Sequence, residues 1–184
     1  MRIPTHAESQ ILIGLTISVP TPYAQTLTRA RVESGDADAT AIPPHITLLP
    51  PTAVEREELR QVRDHLGRVA AAHRPFVVTL AGTSSFRPIS PTVFVEPQQG
   101  AAECIRLHQA INRAQLSQPM RFPYRPHVTI AHDVDEDQLD AALAGYADFH
   151  ATFPVAGFAR FELCADGVWR EVEVFPLSGS PDAR

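Results

Sequence analysis

The chain is short of cysteine, glycine, excess positive charge and long apolar runs, and each shortage closes off a class of protein. Two cysteines in 184 residues, Cys104 and Cys164, cannot build a disulfide framework. They fall on an expected helix and an expected strand, where free, half-buried thiols are the natural state in a reducing compartment. Nine glycines stand against 17 prolines, which points to firmly punctuated loops. Sixteen basic residues against 21 acidic ones give a net charge of −5 and a pI near 5.9. That balance argues against salt-driven binding to duplex DNA, which needs a broad basic face. A small anion held by a few local groups stays open. The apolar run Ile11 to Val19 falls well short of the about 20 residues that cross a bilayer. The opening residues are polar, with Pro4 and Glu8 where a signal peptide needs its apolar centre. A soluble, cytoplasmic protein with no membrane partner is the expectation.

Hydrophobic content of 44% and charged content of 20% are ordinary for a globular domain, and 184 residues fit one domain or two small lobes. A β-rich run over 11–19 stops at Pro20, and Thr21-Pro22 reads as a helix cap followed by proline at the first helical position, opening a helix to about Glu33. A loop over 34–44 leads to a strand from His45 to Leu49, ended by Pro50-Pro51. Thr52 and Glu55 have the spacing of a capping box. The helix behind it runs to about Ala72, its stripe of Leu59, Val62, Leu66, Val69 and Ala70 recurring at three and four. A strand begins at Phe76 and reaches about Phe86. The order then repeats: a strand from Thr92, a helix over 101–116, a loop, a strand from His127 to His132 and a helix opened by a second capping box at Asp135. One bent strand over 153–163 and a hairpin turn at Asp166-Gly167 return the chain as a strand over 168–175. Residues 178–184 read as a frayed tail.

The repeat is one of pattern. The first strand precedes His45 by 34 residues and the fourth precedes His127 by 35. This predicts an α+β protein: a single bilobal domain of two pseudo-symmetric lobes, about 11–90 and 91–177. Each lobe is a mainly antiparallel sheet with outer helices, flanking a central cleft.

That cleft is where the chemistry concentrates. Pro44-His45-Ile46-Thr47-Leu48 and Pro126-His127-Val128-Thr129-Ile130 share one pattern. With a side-chain period of two, histidine and threonine project from one strand face and the aliphatics from the other. Two imidazoles with an ordinary pKa of about 6.5 suit paired proton transfer, one accepting from water while the other donates to a departing oxygen. The threonine hydroxyls can hold a phosphoryl oxygen. No metal or other cofactor is required by this arrangement, and no carboxylate or cysteine lies at ligand spacing.

On these residues the chain resembles the two-histidine (2H) phosphoesterase superfamily, and within it the bacterial 2′-5′ RNA ligase/RNA 2′,3′-cyclic phosphodiesterase branch. Phe86-Arg87-Pro88 and Val93-Phe94-Val95 add to the resemblance, which covers about residues 11–177. It implies a metal-independent phosphodiesterase that opens 2′,3′-cyclic phosphates at RNA ends or on nucleotides, with 2′-5′ ligation as the reverse. It implies His45 and His127 as the catalytic pair, His127 activating water and His45 protonating the leaving oxygen, with Thr47 and Thr129 holding the phosphate. Where many RNA-acting relatives carry a basic residue after the second motif, this chain has Ala131-His132.

Other candidates are Arg121 and Arg125, which could meet a phosphate, and Phe86, Phe122 and Tyr124, which could stack on a base. His132 lies an odd number of residues from His127 and should point away from the cleft. Trp169 reads as a packing residue, and His6, His65, His73, His108 and His150 as scattered surface or half-buried residues. A monomer is expected. The alternative function is a binding module of the same fold that captures a nucleotide or RNA end without turnover.

Overall fold

Four helices pack on two four-stranded antiparallel sheets in the computed structural model of the chain, which describes residues 4–119 and 122–180. Along the chain run β1 (Gln10–Ser18), α1 (Tyr23–Glu33), β2 (His45–Glu55), α2 (Leu59–Ala72), β3 (Phe76–Ser85) and β4 (Thr92–Gln99). They are followed by α3 (Ala101–Ile111), β5 (Val128–His132), α4 (Glu136–Gly145), β6 (His150–Val155), β7 (Gly157–Leu163) and β8 (Trp169–Pro176). The expected α+β class, two pseudo-symmetric antiparallel lobes with outer helices, is the one adopted.

The sheets do not divide at residue 90. One has the order β2-β1-β7-β8 and the other β5-β4-β3-β6. The last strand of each half therefore crosses into the partner sheet: β3 pairs with β4, and β7 pairs with β1. The expected lobe bounds, 11–90 and 91–177, cut across both sheets. The stretch 153–163 is two strands in different sheets, broken at Ala156. A Cβ on Gly157, just past the break, would lie 2.7 Å from the Phe175 carbonyl oxygen, so only glycine lets the chain pass. Helices cross as well: α1 packs on β5 and α3 on β2. One apolar cluster runs through the whole, from Ile13, Leu15 and Ile17 of β1 to Val93 and Val95 of β4 and Val62 and Leu66 of α2.

Local differences from the sequence expectations have physical reasons. β2 runs through Pro50-Pro51 to Glu55 because β1 offers partners as far as Gln10, and Thr52 pairs with Ile13 instead of capping a helix. As an edge strand, β2 tolerates prolines that a central strand would not. The box at Asp135 and Gln138 is present as expected. The first helix starts at Tyr23 with Pro22 as its cap, after a cis Thr21-Pro22 bond. α3 ends at Ile111, five residues earlier than expected, with a short 3₁₀ turn at Ala114–Leu116. The Asp166-Gly167 turn forms, with Gly167 at φ +78°, a left-handed conformation that suits glycine. Ser178 and Gly179 are held rather than frayed, their amides donating to the Ala70 and His73 carbonyls, and 181–184 lie outside the described residues. Both cysteines are free, Cys104 buried in α3 and Cys164 half-buried just after β7. Among the described residues no helix is long and apolar enough to cross a membrane.

Candidate active site

β2 and β5 each end their own sheet and touch one another. Between the sheets lies a cleft of about 420 Å³ lined by His45, Thr47, His127, Thr129 and Phe86, together with His132, Trp169 and residues of the loop after α1. Strand alternation produces this: Ile46, Leu48, Val128 and Ile130 are fully buried, while the histidines and threonines between them stay half-exposed toward the cleft.

The two imidazoles are held in one way. His45 Nδ1 lies 2.7 Å from the Pro43 carbonyl oxygen, and His127 Nδ1 lies 2.7 Å from that of Arg125. A carbonyl oxygen only accepts, so Nδ1 carries the hydrogen on both rings. The neutral tautomer is thereby fixed, and Nε2 of each ring is left to take or give a proton in the cleft. Burial lowers both pKa values below the ordinary 6.5, against the opposing pull of the carbonyl bonds. The charges of Arg31 and His127 lower His45 further; at His127 the charge of Arg125 lowers and that of Glu96 raises.

The surroundings of the rings differ. His127 meets the edge of Phe86, ring centroids 4.9 Å apart at 87°, and lies 5.1 Å from Phe94. Arg125 sits 5.0 Å over Phe94 with its guanidinium bound to Glu96 at 2.6 and 2.9 Å. His45 faces the loop over 36–44 instead. Arg31, buried at the end of α1, anchors that loop through Asp36 at 3.0 Å and the carbonyls of Asp38 and Ile42.

Several expectations change here. Arg125 and Tyr124 do not line the cleft. Tyr124 donates to the Thr47 carbonyl at 2.8 Å and stacks on His108, centroids 4.0 Å apart; His108 in turn bonds the Leu48 carbonyl at 2.8 Å. His108 is thus buried and structural. Phe86 lines the cleft, but its ring is engaged by Phe94 and His127. Phe122 is exposed and outside the cleft, and Arg121 lies outside the described residues.

His132 faces the cleft, contrary to strand parity. The register passes from Phe94–Thr129 to Val93–Ala131 and then Thr92–His132, skipping Ile130. This bulge adds one residue, so Ile130 and Ala131 are both buried and His132 returns to the cleft face. β2 skips Leu48 in the same way, and there Pro50 takes the place equivalent to His132. Trp169, expected as a packing residue, also lines the cleft.

The chain contains no lysine. Among the described residues, the basic side chains lining the cleft are the three histidines and Arg31, whose guanidinium is committed to its loop. Among the described residues no three His, Cys, Asp or Glu side chains form a cluster that could hold a metal.

Residues 19–163 match the model of the 2′-5′ RNA ligase superfamily. Similar curated proteins include "Putative phosphoesterase OB1230" of Oceanobacillus iheyensis, 28% identical over 67% of this chain and 72% of its own length. Another is "Putative phosphoesterase GK0864" of Geobacillus kaustophilus, 28% identical over 78% and 84%. Among solved structures, E. coli LigT complexed with NADP+ aligns with a TM-score of 0.68 at 20% identity, covering 92% of this chain and 99% of that one. LigT complexed with 3′-AMP aligns at 0.62 and 18% identity over 92% and 99%. At these identities the structural likeness carries the fold.

Proposed function

Because this chain belongs to the 2′-5′ RNA ligase superfamily, we propose that its cleft is the active site of a metal-independent phosphodiesterase that hydrolyses 2′,3′-cyclic phosphates on nucleotides or RNA ends. The observation that carries this reading is the matched tethering of His45 and His127 by carbonyls, which frees both Nε2 atoms beside Thr47 and Thr129. A binding module has no need of two such proton carriers. The nucleotide complexes of LigT support a nucleotide as the ligand.

Neutral His127 takes a proton from water through Nε2 as the water oxygen bonds to phosphorus. The bond from phosphorus to one ribose oxygen breaks, and protonated His45 gives its Nε2 proton to that oxygen, leaving a ribose hydroxyl and a phosphomonoester. Charge developing on the non-bridging oxygens is met by the Thr47 and Thr129 hydroxyls, and each positioned acid or base contributes about 10²–10⁴ in rate.

Incubation of the protein with a nucleoside 2′,3′-cyclic phosphate in EDTA tests the reading, with turnover expected; stoichiometric binding without product would favour the capture module. The division of roles is checked with a nitrophenyl phosphodiester, whose leaving group departs without a proton. His45→Ala cleaves it nearly normally, whereas His127→Ala stays impaired on both substrates. Rescue of His127→Ala instead reverses the assignment.

A further inference from the structure

Most of the chain's aromatic rings near the cleft are occupied. Phe86, Phe94 and His127 contact one another beneath Arg125, and Tyr124 is stacked on His108. Trp169, the chain's single tryptophan, is different. Among the described residues it enters no ring pair, cation contact or side-chain hydrogen bond, yet it is half-buried and forms part of the cleft wall with Gly167.

Its position is set by three features. Trp169 opens β8 opposite Leu163, at the mouth of the β7–β8 turn. Arg170 staples that turn to Asp166 with bonds of 2.6 and 2.9 Å, so the strand end carrying the indole is held in place. Gly14 provides the surface beside the ring: a Cβ there would sit 3.7 Å from the indole Cζ3, so this edge of the indole comes up against a stretch of β1 that carries no side chain. Gly14 is two residues along β1 from Thr16, which pairs with Thr47. Two residues along and one strand across is roughly 8 Å of backbone between the indole's resting place and the phosphate-side threonine. That is a separation a ribose can bridge between a base and its phosphate. Ala41, Ile42 and Pro44 add apolar lining to the cleft.

We propose that Trp169 is the nucleobase platform of this cleft. The base stacks on the free indole face, the ribose spans the floor over β1, and the phosphate reaches His45 and His127. This rests on the phosphodiesterase reading and deepens it, assigning the group that holds the base of the nucleotide or RNA end. Stacking accepts any base, because every base has a π-face, so the platform selects for a nucleotide without selecting its sequence.

The sole tryptophan makes the test direct. Adenosine 3′-monophosphate quenches the fluorescence of the wild-type protein saturably, while glycerol 2-phosphate, which competes for the same site, leaves the emission unaltered. Kinetics supply the second arm. The advantage of adenosine 2′,3′-cyclic phosphate over base-free glycerol 1,2-cyclic phosphate, taken as a ratio of kcat/KM, falls about 10–100-fold in Trp169→Ala, mainly through KM. Trp169→Phe, which keeps a ring, retains most of it. A ratio that does not change in Trp169→Ala, with both substrates falling together or neither falling, overturns the platform and leaves the hydrolase standing. Quenching by the nucleotide with no turnover of either substrate keeps the platform and removes the hydrolase. Equal emission changes with both ligands also overturn the platform, because they report closure and not stacking.

Discussion

At the scale of single residues, the two imidazoles are the groups whose chemistry is most exposed to measurement. Both are shifted below the ordinary 6.5, first by burial. In kcat/KM, which reports the free enzyme, the acid limb follows the base and the alkaline limb follows the acid. Lowering both pulls both limbs down, so the kcat/KM optimum lies below pH 6.5. A bound phosphodiester anion favours the protonated rings, so the kcat profile is displaced upward from that of kcat/KM. Steady-state kinetics across pH 4.5 to 8.5, the range being set by the reference pKa of about 6.5, checks both statements. A kcat/KM optimum above 7 would contradict them. The same shifts bear on stability with a definite sign. The unfolded chain takes up protons near 6.5 and the folded one only at lower pH, so this contribution is present above 6.5 and lost as pH falls through the folded values.

At the scale of elements, the two His-Thr strands hold their relation through Tyr124, on the loop entering the second motif. Its hydroxyl bonds the Thr47 carbonyl at 2.8 Å while its ring lies on His108, which bonds the next carbonyl, Leu48. Tyr124→Phe keeps the stack and removes the bond that ties the loop entering one His-Thr strand to the other. It costs about 1 kcal/mol in stability by denaturant titration, and kcat falls more than KM changes, because the strands lose registry and not a ligand contact. An unchanged kcat would assign Tyr124 to packing alone. The pairing of histidine, threonine and aliphatic was legible in the sequence because it depends only on strand alternation. The facing of His132 was not, because it depends on the bulge at Ile130, a property of how β5 meets β4. Two capping boxes with similar spacing met opposite fates. Asp135 caps α4, while Thr52 was drawn into β2 by the long partner β1. Local pattern states what a segment can do, and the neighbouring strand decides between the options. Trp169 was hidden for the same reason, since nothing near it in sequence reveals that Gly14 lies beside its ring.

At the scale of the molecule, the exchange of strands makes the cleft a fixed gap instead of a hinge between two independent lobes. β3 leaves the first half to pair with β4 and β6, and β7 with β8 leaves the second half to extend the sheet of β1 and β2. α1 packs on β5 and α3 on β2, so each His-Thr strand is backed by a helix from the other half. Each half of the chain thus supplies strands to both sheets and a helix to the other half's His-Thr strand, and the apolar cluster spans both. Unfolding is therefore expected to be one cooperative transition despite the internal repeat. Trp169 reports on the β1-side sheet alone, whereas far-UV circular dichroism reports on all elements. In a guanidinium titration the two midpoints coincide, and calorimetric and van't Hoff enthalpies agree. A tryptophan transition well ahead of the dichroism would mean that β7 and β8 detach while the other sheet persists. The spacing of His45 and His127 would then rest on local contacts such as Tyr124, and the interlocking of the halves would have no part in holding the two imidazoles across one cleft.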